Sequence, residues 1–269
     1  MTRRTIRGGD GVDLGVGEYG DPEGRPVLLQ HGLIGGAGLP PDWDRWAREA
    51  GVRLLAWERP GYGLTEPTPM SAVADWVPLL LPALDALGVR TYQALAISAG
   101  APYAYALGAL APERCEGVGV LSGLPYVYDD AIRGHYPERS LRAWDLYGSA
   151  PQEEVAEQFA AAAPRFADAF RDSPWTLAAL EEMGRHGHRG PAREARLQVG
   201  HWGFTPADVR CPVRLWHAPG DPDVPIAAAR ATASLFADAA LTEQAEPTHL
   251  PSERSVRACL TVLAALRAH

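Results

Sequence analysis

Apolar and polar positions along the chain fall into two alternating patterns. Continuous apolar runs bounded by Gly, Pro or charged residues occur at 25–30, 51–57, 91–97 and 117–121. Runs of that length read as strands buried on both faces. Between them, apolar residues recur at helical spacing. Residues 42–50 form a short expected helix with Trp43, Trp46 and Ala47 on one face. Val73, Trp76, Val77, Leu80, Leu84 and Leu87 mark a second helix, which Ser71 is placed to cap. Residues 99–110 read as a third. Such alternation predicts an α/β fold, a mostly parallel sheet with helices on both faces.

The pattern changes over 123–207, which reads as helical and loop-rich with no strong strand. It carries Tyr126, Tyr128, Tyr136, Trp144, Tyr147, Trp175 and Trp202, most of them expected to pack this segment against the rest. The β-α pattern then returns: a strand at 213–217, a helix at 226–236, a weaker strand at 240–244 and a closing helix at 252–266. The expected organisation is therefore a core domain of 1–122 and 208–269, with a helical cap, 123–207, inserted into it.

Composition narrows the partners. The 269 residues are 46% hydrophobic and 22% charged, enough for a sizeable core. No run approaches the ~18 apolar residues of a membrane span. The arginines near the N-terminus, Arg3, Arg4 and Arg7, precede no apolar segment, unlike a secretory signal. A cytoplasmic protein without membrane contact is expected. The net charge of −8 and the lack of a basic run argue against nucleic acid. All 25 basic residues are arginine, the pattern of a GC-rich genome. Cys115, Cys211 and Cys259 are too few and too scattered for a disulfide framework or a zinc site, and read as small buried hydrophobes. No cofactor is expected, and the partner is a small-molecule substrate for a monomer or homodimer.

The strongest chemical signal is Ala96-Ile97-Ser98-Ala99-Gly100, between an expected strand and an expected helix. A nucleophile on so tight a turn needs small residues two positions before and after it. Ser98 is the only serine with Gly or Ala at both positions. A serine hydroxyl needs a base, usually a histidine oriented by a carboxylate. Asp221, in the loop after the 213–217 strand, and His249, before the last helix, supply the chain order Ser, Asp, His. Asp223 is the fallback for Asp221. The oxyanion of acyl transfer needs N–H donors: Ala99, which follows the nucleophile, and Leu33 in the glycine-rich stretch 31–38. His31 reads as a structural strand-end residue. His186 and His188 lack a third ligand at metal spacing, His217 reads as packing, His135 and His201 have no assigned role, and His269 is terminal.

Together these pieces resemble the α/β-hydrolase superfamily over most of the chain, from about Gly17 to Leu266. The likeness rests on His31-Gly32, the turn Glu58-Arg59-Pro60-Gly61-Tyr62-Gly63, the elbow at Ser98, the loop from Asp221 to Pro225, His249, and Trp202-Gly203-Phe204. It is greatest for a bacterial branch whose turn opens with aspartate, here Glu58. The resemblance implies an eight-stranded, mostly parallel sheet, a Ser98–His249–Asp221 triad, oxyanion donors at Leu33 and Ala99, and a helical cap. Serine at the elbow disfavours epoxide-hydrolase and dehalogenase chemistry, which need aspartate there.

The function expected is that of a serine hydrolase acting on an ester, thioester or lactone with an apolar or aromatic body. Within the same class, an aminopeptidase or a carbon–carbon bond hydrolase is the alternative. An aminopeptidase would want cap carboxylates facing the site, with Glu153, Glu154, Glu157, Glu181 and Glu182 the candidates. In a different class, the fold could serve ligand binding or non-hydrolytic biosynthesis.

Overall fold

Five of the eight strands are short, largely apolar segments of the kind that only a sheet covered on both faces can bury. The structure, a computed structural model, describes residues 2–266; His269 lies outside them. The strands are β1 (Thr2–Arg7), β2 (Asp13–Gly20), β3 (Arg25–Gln30), β4 (Val52–Trp57), β5 (Tyr92–Ile97), β6 (Cys115–Leu121), β7 (Val213–His217) and β8 (Ala239–Glu243). They form one sheet in the order β1-β2-β4-β3-β5-β6-β7-β8. The two pairings made by β2 are antiparallel and all others are parallel.

Helices α1 (Pro41–Glu49) and α10 (Glu253–Ala265) cover one face, where Trp43, Leu29, Leu54 and Leu260 share a core. On the other lie α2 (Trp76–Ala86), α3 (Ala101–Leu110) and α9 (Ile226–Ala233), whose core includes Trp57, Trp76, Tyr105 and Val118. Five helices sit between β6 and β7: α4 (Asp130–Arg133), α5 (Glu138–Ser149), α6 (Gln152–Ala169), α7 (Pro174–Gly184) and α8 (Arg189–Val199). Among the described residues, no helix is long and apolar enough to cross a membrane.

Two strands went unread, and one local expectation needs correction. β1 and β2 were not legible as strands: β1 carries three arginines and β2 three glycines, so neither shows an apolar run. Ser71 does not cap the second helix. Its N–H and hydroxyl both donate to Asp75, which closes a 3₁₀ turn (Val73–Asp75) ahead of α2.

Helix α8 is pressed onto the turn that follows β4. Gly61, at φ +83°, and Gly190 approach so closely that a Cβ on either would strike the other's backbone. The contact is tied by Arg59 and Glu194, whose side chains are both fully buried. Glu194 accepts from Arg59 Nε and Nη2 and from the Tyr62 hydroxyl, and Arg59 Nη2 also donates to the His31 carbonyl at 2.8 Å. The guanidinium lies 4.5 Å over the Tyr103 ring. Removing one member of a buried pair strands the other charge and typically costs about 3–5 kcal/mol. Glu194→Ala is therefore expected to lower unfolding free energy by that amount in urea titration. Replacing both Arg59 and Glu194 by Met should cost distinctly less. Equal losses in the two variants would show that the stranded charge is not what matters.

Candidate active site

Ser98 stands where β5 turns into α3. Its φ is +51°, a left-handed value that a non-glycine residue adopts only under tertiary constraint. The constraint is visible: Leu124 N–H donates to the Ser98 carbonyl at 3.0 Å, and a Cβ on Gly100 would strike the Gln30 and His31 carbonyls. Glycine two residues after Ser98 lets α3 start directly against the end of β3. The turn thus presents the Ser98 hydroxyl above the carboxyl edge of the sheet.

The structure brings Ser98, His249 and Asp221 together. His249 Nε2 lies 2.8 Å from Ser98 Oγ, and His249 Nδ1 lies 2.9 Å from Asp221 Oδ2. A carboxylate only accepts, so Nδ1 carries the ring proton and Nε2 is left to accept from the serine. The other Asp221 oxygen accepts from the N–H groups of Asp223 (2.8 Å) and Val224 (2.9 Å). Burial pushes the Asp221 carboxyl up, but His249 and these two N–H groups outweigh it and hold its pKa below the ordinary value. His217 Nε2 donates to the Val224 carbonyl at 2.9 Å. Burial lowers its pKa, so it packs as a neutral ring beside Asp221.

Leu33 and Ala99 both border the same cavity as Ser98 and His249. A Cβ added to Gly32, between His31 and Leu33, would sit 3.5 Å from the Ser98 Cβ. His31 is buried, with Nδ1 2.7 Å from the Gly32 carbonyl and its ring against Tyr62. Glu58 keeps the loop in place: it accepts from Ala37 N–H at 3.2 Å and Leu64 N–H at 2.7 Å, and it pairs with Arg3, which also holds Glu182 on α7. Gln198, on α8, donates from Nε2 to the Ala99 carbonyl at 2.8 Å, joining the inserted helices to the elbow itself.

The cavity measures about 690 Å³, within the range of sites that enclose a small organic molecule. Trp43 and Trp46 of α1 form one wall; Trp144, Tyr147, Phe159, Phe166, Phe170 and Trp175 of the inserted helices and their connections form another. Of the seven aromatics expected to pack the insertion, Trp144, Tyr147 and Trp175 line the cavity. Tyr126 packs with Tyr128 and Trp202, and Tyr136 with Trp144.

No family model and no curated protein matches the chain. Solved structures do. A protein from Nakamurella multipartita described as an α/β hydrolase fold protein aligns over 98% of this chain and 99% of its own, at TM-score 0.66 and 19% identity. The chain has the α/β-hydrolase fold. An esterase from Rhodococcus sp. ECU1013 aligns over 99% of this chain and all of its own, at TM-score 0.66 and 18% identity. A 2-hydroxy-6-oxo-6-phenylhexa-2,4-dienoate hydrolase from Rhodococcus sp. strain RHA1 covers 92% of this chain and 90% of its own, at TM-score 0.63 and 16% identity.

Within this α/β-hydrolase fold, several cavity residues carried no chemical signal in the sequence. Phe159, Phe166 and Phe170 are spaced seven and four apart, a stripe on one side of α6 and its end that could have been read. Gln198 left no such trace. None of the five glutamates suited to an amine substrate borders the cavity among the described residues: Glu153 and Glu157 edge a separate groove, and Glu182 is tied to Arg3. Asp221, Asp223 and His249 bring ligand atoms within 4.8 Å of one another, as a metal site would. Both Asp221 oxygens and both His249 nitrogens are already engaged, so the set offers a cation little.

A pH effect follows from Asp221. Its folded pKa lies below the unfolded value near 3.8, so its stabilisation is complete above that value and fades as pH falls through the folded one. In that acid window, stability of the wild type should rise with pH more steeply than that of Asp221→Asn, as read from urea midpoints. Parallel slopes would contradict the assignment.

Proposed function

We infer that the chain is a serine hydrolase that cleaves an ester, thioester or lactone of an apolar or aromatic small molecule through an acyl-enzyme on Ser98. The observation that supports this most is the continuous hydrogen-bonded path from Ser98 Oγ through His249 to Asp221, at the wall of an apolar cavity. As Ser98 Oγ bonds to the carbonyl carbon, its proton passes to His249 Nε2. Asp221 stabilises the imidazolium that results and fixes its tautomer. The carbonyl oxygen gains a negative charge, which the N–H groups of Leu33 and Ala99 are assigned to accept.

Collapse of the tetrahedral intermediate breaks the bond to the leaving group, which takes the proton from His249. Water then loses a proton to His249 and attacks the acyl-enzyme. The released acid carries away the acyl group, and Ser98 regains its proton. Carbon–carbon bond hydrolysis is the second reading, favoured by the Rhodococcus dienoate hydrolase among the structural neighbours.

Intact mass after treatment with a fluorophosphonate tests the serine directly. One adduct is expected on the wild type and none on Ser98→Ala. Lack of an adduct on folded wild type would exclude an activated Ser98. Replacing His249 by Ala should slow labelling and ester turnover by about 10²–10⁴-fold, the usual worth of a positioned base.

A further inference from the structure

Among the described residues, a carboxylate and no fixed cation border the cavity. Lysine is absent from the chain, so only arginine can carry a permanent positive charge. Among the described residues none of the arginines borders the cavity. Three arginines at the junction of α8 with the sheet are committed elsewhere, while Arg139 on α5 and Arg165 on α6 are exposed and outside the cavity lining. Arg59 holds Glu194, Arg193 donates to the carbonyls of Pro60 and Thr68, and Arg196 to those of Tyr147 and Ala150. Asp223 borders the cavity beside His249, and Asp221 stands just behind the ring. The remaining polar wall is uncharged: it includes Ser98, Ser140, Tyr147, Thr176 and Gln198, and His31, whose protonation burial and Arg59 oppose.

A carboxylate drawn into such a place loses its water and finds no counter-charge. A neutral ester meets no such penalty. Hydrolysis changes the sign of that balance, because the product acid ionises near neutral pH. We propose that the site admits neutral substrates, rejects those bearing a carboxylate on the acyl or leaving group, and expels its acid product by the same lack of a cation. The proposal rests on the serine-hydrolase reading. It also separates the two reactions considered above, since a dienoate is a carboxylate.

The test compares three matched p-nitrophenyl esters on the intact protein at pH 7.5. They are the hexanoate, the adipate with its second carboxyl free, and the same adipate with that carboxyl methylated. Rates are divided by those in hydroxide alone. The expected kcat/KM for hexanoate exceeds that of the free-acid adipate about 100-fold, with the methylated adipate near the hexanoate. A ratio under tenfold, or rejection of the methylated ester too, overturns the proposal, the second because size rather than charge would be discriminating.

Protection of Ser98 from the fluorophosphonate gives a readout without turnover. Hexanamide is expected to slow labelling, and hexanoate anion at the same concentration is not. Equal protection overturns the proposal. Labelling of Ser98 with none of the three esters hydrolysed also overturns it, while leaving the activated serine in place. Absence of labelling removes the hydrolase reading itself, and the proposal with it.

Discussion

The buried ion pair between Arg59 and Glu194 is the constraint on which the site depends. Two opposite charges removed from water gain little unless their remaining hydrogen-bonding capacity is met. Here it largely is: Glu194 takes Arg59 and Tyr62, while Arg59 also takes the His31 carbonyl and lies over Tyr103. One partner belongs to the turn after β4, the other to α8. Their pairing therefore decides where an inserted helix meets the sheet. It brings Gln198 to the Ala99 carbonyl, and it gives α5 and α6 a surface to rest on, through the core of Val155, Phe159, Ala192 and Ala195.

The elbow shows the same economy on a smaller scale. Ser98 adopts a left-handed backbone that costs of order 1–3 kcal/mol for a side-chain-bearing residue. The surrounding sheet sustains it: β5 pairs with β3 and β6 on either side, and Gly100 leaves just enough room for the end of β3. Because the scaffold holds the strain before any ligand arrives, Ser98 and His249 are already within hydrogen-bond reach. Asp221 is held in turn by backbone N–H groups of its own loop, so the whole path is fixed by rigid elements and short turns.

Charge and apolarity are separated across the inserted helices. On α8, Arg193 turns toward the Pro60 and Thr68 carbonyls and Arg196 toward those of Tyr147 and Ala150, while Phe159 on α6 turns toward the cavity. Arg3 does similar work from the far edge of the sheet, joining Glu58 under the loop to Glu182 on α7. The consequence is a space whose walls are almost wholly uncharged inside a chain of net charge −8. Among the described residues, this separation keeps arginine out of the lining of the space beside Ser98 and His249.

The sequence by itself determined the parts whose physics is local. The segments 25–30 and 213–217 appear as strands with the bounds their apolar runs predict, because burial on both faces leaves little choice of residue. The small residues around Ser98 marked the turn, for steric reasons that any backbone of that shape imposes. β1 and β2 were hidden because their arginines and glycines mask the pattern, and Ser71 looked like a cap because a serine ahead of a helix can either accept or donate.

Only the tertiary structure could bring His249 to Ser98 across 151 positions, or choose between two aspartates two residues apart. Asp221 and Asp223 share one loop and one residue type. Asp221 faces His249 because its other oxygen is captured by the N–H groups of Asp223 and Val224, a turn whose placement depends on where β7 ends in the sheet. The cavity likewise belongs to the fold as a whole. Its walls come from α1, the inserted helices and the His249 loop, and no local pattern records which faces of distant helices will meet.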